Sequence, residues 1–146
     1  EDMLENIIAL AAFIPVIIGM GGNIGTQSST IIVRGMATGR IEIGNEIKIL
    51  FKEIRVGLIL GGLYGLLLGV FANFRFFDVD PLLGFVVGLS IFCSMLIATA
   101  VGTFIPLVLR KLDIDPAIAT GPIVTTSIDI LGVLLYFLIA GYFLTI

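Results

Sequence analysis

The sequence predicts an all-α membrane protein, a polytopic bundle of four long transmembrane helices with a short interfacial helix between the first two. Three observations carry that expectation. Of 146 residues, 58% are apolar and only 13% charged, at a mean hydropathy of +1.19, whereas soluble domains run near ~25% charged. Four stretches of spanning length are free of charge except for one aspartate. The basic residues fall in the connections between those stretches.

The first stretch, Asn6 to Val33, changes character midway. Its opening IIALAAFIPVII is oily and reads as lipid-facing, while GMGGNIGTQSST is small and polar. Next, Glu42 to Arg55 (EIGNEIKILFKEIR) repeats Ile43, Ile47, Leu50 and Ile54 at helical spacing with charges between them, the pattern of the interfacial helix. The second stretch, Val56 to Ala72, is short, and Gly61, Gly65 and Gly69 form a small-xxx-small stripe suited to helix packing. Leu82 to Leu109 is long enough to cross with tilt. In the last connection, Asp115-Pro116 reads as a helix start, Asp at the N-cap and Pro at the first position, and Ala117 to Ile146 follows with Asp129 as its only charge.

Basic residues near helix ends favour the cytoplasmic side. Arg34, Arg40, Lys48, Lys52 and Arg55 occupy the first connection, Arg110 and Lys111 the third, and the second has only Arg75 beside Asp78 and Asp80. This bias predicts a multi-pass protein of the plasma membrane with both ends of the chain on the outer side. No basic segment of a signal peptide precedes the first stretch, and the chain starts at Glu1. The complete protein is therefore expected to carry a preceding transmembrane helix and a soluble cytosolic domain, with residues 1–146 forming a single transmembrane domain.

Several function classes are excluded. Eleven acids against eight bases leave no footprint for nucleic acid. Without histidine there is no Ser-His-Asp triad, and the single Cys93 provides neither a disulfide nor a thiolate metal cluster. GMGGNIG has the glycines of a phosphate loop but lacks the preceding strand and the lysine.

Asp129 is the strongest functional signal. A carboxylate near mid-helix costs a few kcal/mol or more to insert and usually faces a water-filled path or a partner charge, and no Lys or Arg lies inside the four stretches. Its countercharge must be a bound cation, a proton or a group outside the chain; the bland alternative is a protonated Asp hydrogen-bonded to a neighbouring helix. In TGPIVTTSID, Pro122 withholds one backbone hydrogen bond, freeing the carbonyl of Ile118, and Pro122, Thr125, Asp129 and Gly132 share one helix face. Tight packing explains Gly132 as well as a pore does. The first stretch supplies a companion surface: Gly19, Gly22, Asn23, Thr26, Gln27 and Thr30 recur at spacings of three and four, more amides and hydroxyls than packing needs.

The order P-x-x-x-G-x-x-G-N-x-G-x-Q from Pro15 to Gln27, followed by the arginine-containing IIVRGMATG, the DPA of Asp115 to Ala117 and the segment from Pro122 to Asp129, resembles the MgtE magnesium channels and transporters over nearly the whole chain. The resemblance implies a five-helix membrane domain of which this chain supplies helices two to five. It further implies a homodimer with one pore on the two-fold axis, lined by the first and last helices of this chain. Carried over by position, Asp129 matches the pore carboxylate that meets hydrated Mg²⁺, Asn23 an asparagine on the facing helix, and Thr125 and Gly121 positions on the pore wall. Gly121 departs from the family, in which Asn often precedes this proline. Asp115 matches an acidic position at the cytoplasmic end of the pore, where relatives with cytosolic domains bind regulatory Mg²⁺.

The leading expectation is thus a divalent-cation channel or transporter, mainly for Mg²⁺, and not an enzyme. A proton- or sodium-coupled carrier using Asp129 as coupling site is the alternative. An intramembrane metalloenzyme is disfavoured because a lone carboxylate without His, Cys or a second acid in its plane makes no acid/base pair. A scaffold would need Asn23, Gln27 and Asp129 to be replaceable by apolar residues.

Overall fold

The computed structural model describes residues 2–42 and 44–144. Those residues form helices α1 (Asp2–Ala11), α2 (Ile14–Ala37), α3 (Glu46–Phe76) and α4 (Leu83–Lys111), a 3-10 turn (Pro116–Thr120), and α5 (Pro122–Phe143). The protein is all-helical, as expected. Taken together, α1 and α2 make one candidate span, and α3, α4 and α5 make the other three.

Two breaks follow from proline. Pro15 has no N–H to offer the carbonyl of Ala11, so α1 ends there and α2 starts anew, with Phe13 N donating to Leu10 O at 3.0 Å across the corner. The last span is likewise divided. Asp115 caps the 3-10 turn by accepting from Ala117 N at 3.0 Å, as the Asp-Pro pair predicts, but the turn stops at Gly121 and α5 begins at Pro122. The expectation of Pro122 inside a continuous helix is therefore corrected. It sits in the first turn, where a missing N–H costs nothing, and the Gly121 carbonyl is used by Val124 N at 3.1 Å and Thr125 N at 3.3 Å.

The interfacial segment is helical, but it is the opening of α3 and not a separate element. Between Glu46 and Gly57 there is no Gly or Pro to interrupt the helix; Ile43, the first apolar position of the predicted pattern, lies outside the described residues. The 31 residues of α3 rise roughly 46 Å against a hydrocarbon core of about 30 Å. The charged first turns therefore project beyond the apolar length.

Helix α4 is central and packs on α2, α3 and α5. Its approach to α3 is made by glycine on both sides. A Cβ at Gly65 would lie 2.7 Å from Gly88 O, one at Gly69 2.9 Å from Gly84 O, and one at Gly61 3.0 Å from Phe92 O. Further along α4, a Cβ at Gly102 would strike the carbonyl of Gly25 in α2. The small-xxx-small stripe is thus a packing surface. Two buried side-chain hydrogen bonds close the bundle: Ser29 Oγ donates to Ala119 O at 3.0 Å, and Tyr136 Oη donates to Leu10 O at 2.8 Å. Both acceptors are carbonyls at irregular backbone, where a bilayer offers no water to satisfy them. The outside of the bundle is apolar, with Leu58, Ile59, Leu66 and Phe71 of α3 and Leu134 and Leu138 of α5 exposed as lipid would require.

Replacing Gly65 by Val is expected to destabilise the bundle by about 1–3 kcal/mol, since backbone at this approach cannot yield. Gly62→Val, where nothing lies within 4 Å of the added carbon, serves as the control and should be nearly silent. Thermal unfolding of the two variants in one detergent checks the pair, and equal melting temperatures would overturn the packing assignment.

Candidate functional site

Helix α2 presents two surfaces set by its spacing. Ile17, Gly21, Gly25, Ser28 and Ile32 face inward, while Pro15, Gly19, Asn23, Gln27 and Thr30 face out of the bundle. Gly22 and Thr26 lie half-buried at the margin next to α5. An outward face of amides, hydroxyls and glycine on a bundle otherwise coated with leucine and phenylalanine is out of place against lipid.

Asp129 stands on α5 beside this surface. A Cβ on Gly22 would be 3.6 Å from Asp129 Oδ1, so the glycine leaves the carboxylate open space on the α2 side. That oxygen is buried and has no hydrogen-bond partner in the chain. The protonated Asp bonded to a neighbouring helix, the bland reading, finds no support in that geometry. Among the described residues no three His, Cys, Asp or Glu side chains gather. A cation at Asp129 would hence take its other ligands from amides, hydroxyls, carbonyls or water.

The remaining candidates are placed less uniformly. Thr125, one turn before Asp129, is half-buried and donates its hydroxyl to Pro122 O at 3.3 Å. Asn23 follows Gly22 and is turned about 100° from it around α2; it is exposed and lines a groove of about 470 Å³ with Met20, Tyr64 and Met95. Within one chain, then, Gly22 meets Asp129 while the Asn23 side chain lies on the other flank of the polar face. Gly121 occupies the break before α5, and nothing lies within 4 Å of a Cβ added to it, so the Asn common in the family would be accommodated. Asp115 is exposed and spends one oxygen on the cap of the 3-10 turn. Gly132 is buried, its added Cβ 3.2 Å from Ser94 Oγ and 3.7 Å from Ile17 Cγ2, which makes it a packing residue.

A buried carboxylate was missed by the sequence reading. Glu53 is only 5% exposed, and its Oε2 accepts from Ser28 Oγ on α2 at 3.1 Å. A signal for it existed: Glu53, Gly57, Gly61, Gly65 and Gly69 recur every four residues, so the carboxylate continues the buried glycine face.

The family model MgtE, described as a divalent cation transporter, matches residues 14–139. The chain is 40% identical over 144 residues to a magnesium transporter MgtE of Bacillus subtilis, covering 99% of this chain and 32% of that protein. A magnesium transporter MgtE of Thermus thermophilus is 40% identical over 140 residues, with 96% and 30% covered, and one of Enterococcus faecalis is 35% identical over 144 residues, with 99% and 31% covered. The chain thus spans about a third of the length of these curated relatives.

Ser28→Val removes the donor and leaves Glu53 buried and unpaired, an expected loss of about 1–3 kcal/mol; Glu53→Gln, which can still engage the hydroxyl, should cost less. Thermal unfolding of the two variants measures the difference, and equal losses would show that the Ser28–Glu53 bond carries no weight.

Proposed function

Because this chain belongs to the MgtE family of divalent cation transporters, we propose that it is the ion-permeating membrane domain of a transporter mainly for Mg²⁺. In this reading the hydrated ion passes between two copies of the chain, along a path lined by α2 and α5. One observation carries the reading: the buried, unpartnered Asp129 Oδ1 stands beside Gly22 on a helix whose outer face is amide, hydroxyl and glycine. A polar face exposed on an apolar bundle asks for a cover that is itself polar, and a two-fold copy supplies the same face.

The physics of the ion fits this arrangement. Mg²⁺ is small and gives up water reluctantly, so carboxylates, amides and carbonyls would hold it through its hydration shell. Two Asp129 side chains brought together on a two-fold axis repel each other, and a divalent cation relieves that repulsion better than Na⁺ or K⁺. Asp129 is the charged ligand in this proposal, Asn23 and Thr125 contribute polar contact along the path, and Gly121 leaves the path wide before α5. Asp115 stands at the end of the path next to the basic connections. The whole protein is proposed to sit in the plasma membrane with both ends of this segment outside, preceded by one more helix and by a cytosolic domain that regulates passage through Mg²⁺.

The deciding experiment is Mg²⁺ flux into proteoliposomes of the complete protein with no proton or sodium gradient. Wild-type flux should fall at least tenfold in Asp129→Ala with the protein still folded, Asp129→Asn should lose divalent selectivity more than expression, and Asn23→Leu should conduct less. Normal flux in a correctly inserted Asp129→Ala would remove Asp129 from the path. Flux that appears only when a gradient is imposed would assign a coupled carrier instead.

A further inference from the structure

Five of the eight Lys and Arg residues lie between positions 34 and 55. The fold gathers them around two adjoining clefts. One, of about 670 Å³, is lined by Arg40, Lys48, Lys52 and Arg55 together with Phe51; the other, of about 450 Å³, by Arg34, Arg40 and Lys52. Arg40 and Lys52 belong to both.

The clustering is built into the backbone. Lys48, Lys52 and Arg55 recur at four and three residues and so form one stripe of α3. Gly39, at φ +70°, turns the chain back after α2, and Arg40 N and Ile41 N both donate to Gly35 O, at 2.9 and 3.1 Å. This turn holds Arg40 across from the stripe. Like charges at helical neighbours repel, and among the described residues none of these cations is held in an ion pair. Of the acids in the same segment, Glu46 pairs with Lys111 at 3.2 Å and Glu53 is buried against Ser28. Glu42 lines the larger cleft without coming within ion-pair distance of a cation; among the described residues, Lys111–Glu46 is the sole ion pair.

Position defines the ligand. Arg34 lies in the last turn of α2, and Arg55 immediately precedes the apolar length of α3, which places the clefts at the level where both apolar helices end. Ile47 and Phe51 are 72% and 62% exposed on the same turns of α3, an apolar surface next to the cations. A bias of basic residues toward one side of the membrane accounts for their number but not for their convergence around two adjoining clefts, the larger with Phe51 in its wall.

We propose that these clefts bind the phosphate of an anionic phospholipid from the adjoining leaflet, its headgroup between Arg40 and the Lys48–Lys52–Arg55 stripe and its acyl chains along Phe51 and the apolar face of α3. Arginine supplies the fork that matches phosphate oxygens, and a headgroup anion neutralises the stripe that the protein leaves uncompensated. The inference is independent of which ion crosses the membrane.

The test is native mass spectrometry of the delipidated full-length protein titrated with phosphatidylglycerol and with phosphatidylcholine of the same chains, beside the variant R40Q/K52Q/R55Q. Each cation removed is expected to weaken phosphatidylglycerol binding roughly fivefold, about a hundredfold for three, with phosphatidylcholine unchanged. Should the triple variant not fold, Lys52→Gln alone is expected to show the fivefold loss and Arg40→Lys a smaller one. Unchanged phosphatidylglycerol affinity in a folded variant overturns the proposal. Displacement of the lipid by equimolar glycerol 3-phosphate would make the clefts a site for soluble phosphates and overturn it as well. Equal loss of both lipids would assign the effect to general disruption, again against the proposal.

Discussion

Helix α4 can stand at the centre of this bundle because the faces that meet it have no side chain at the points of closest approach. Gly61, Gly65 and Gly69 of α3 rest on the backbone at Phe92, Gly88 and Gly84, and Gly25 of α2 rests on Gly102. In a bilayer, where lipid is as apolar as leucine, such backbone proximity and the dispersion it yields take the place of hydrophobic collapse. Everything else is positioned by it: α2 and α5 are held against α4 with Gly21, Gly25 and Gly132 accepting Ile128 and Ser94, and that packing brings Gly22 up to Asp129.

The same solvent sets the second rule, that polar groups inside must find partners. Several do: Tyr136 joins Phe13 N on the carbonyl of Leu10 beside the first break, Ser29 serves Ala119 beside the second, and Ser28 of α2 serves Glu53 of α3. Asn6 Oδ1, Ser90 Oγ, Ser94 Oγ, Thr103 Oγ1 and Asp129 Oδ1 have none, and of these Asp129 alone is a carboxylate, at the margin where the bundle turns a polar face outward. A satisfied network explains itself within one chain. An orphaned carboxylate beside an exposed row of amides and hydroxyls is not accounted for by contacts within one chain.

Charge is distributed by the same logic. The apolar length of the bundle carries Asp129 alone, while one end collects Arg34, Arg40, Lys48, Lys52 and Arg55 around adjoining clefts. Because α3 is longer than a bilayer is thick, its cationic turns are rigid continuations of the spanning helix and not a loose loop. A group bound at those turns would be mechanically linked to the α3–α4 glycine interface.

The sequence by itself determined the helical class, the four spans, the packing use of the glycine stripe, the Asp115 cap and the singular status of Asp129, because each rests on composition or on local periodicity. Where it fell short, the cause was position relative to an element's end or to another element. Pro122 carries the same missing N–H at the start of a helix as within one, and only the chain's turn at Gly121 decided which. The amphipathic pattern of Glu42 to Arg55 is equally compatible with a separate helix or with the opening of α3, and continuity of hydrogen bonding decided for the latter. That Asn23 and Asp129 flank the polar face from opposite sides, that Glu53 is buried on Ser28 and that Arg40 folds back over the α3 stripe depend on how helices distant in sequence are rotated against one another. Rotation of that kind is set by close contacts across the bundle, which one chain's spacing does not encode.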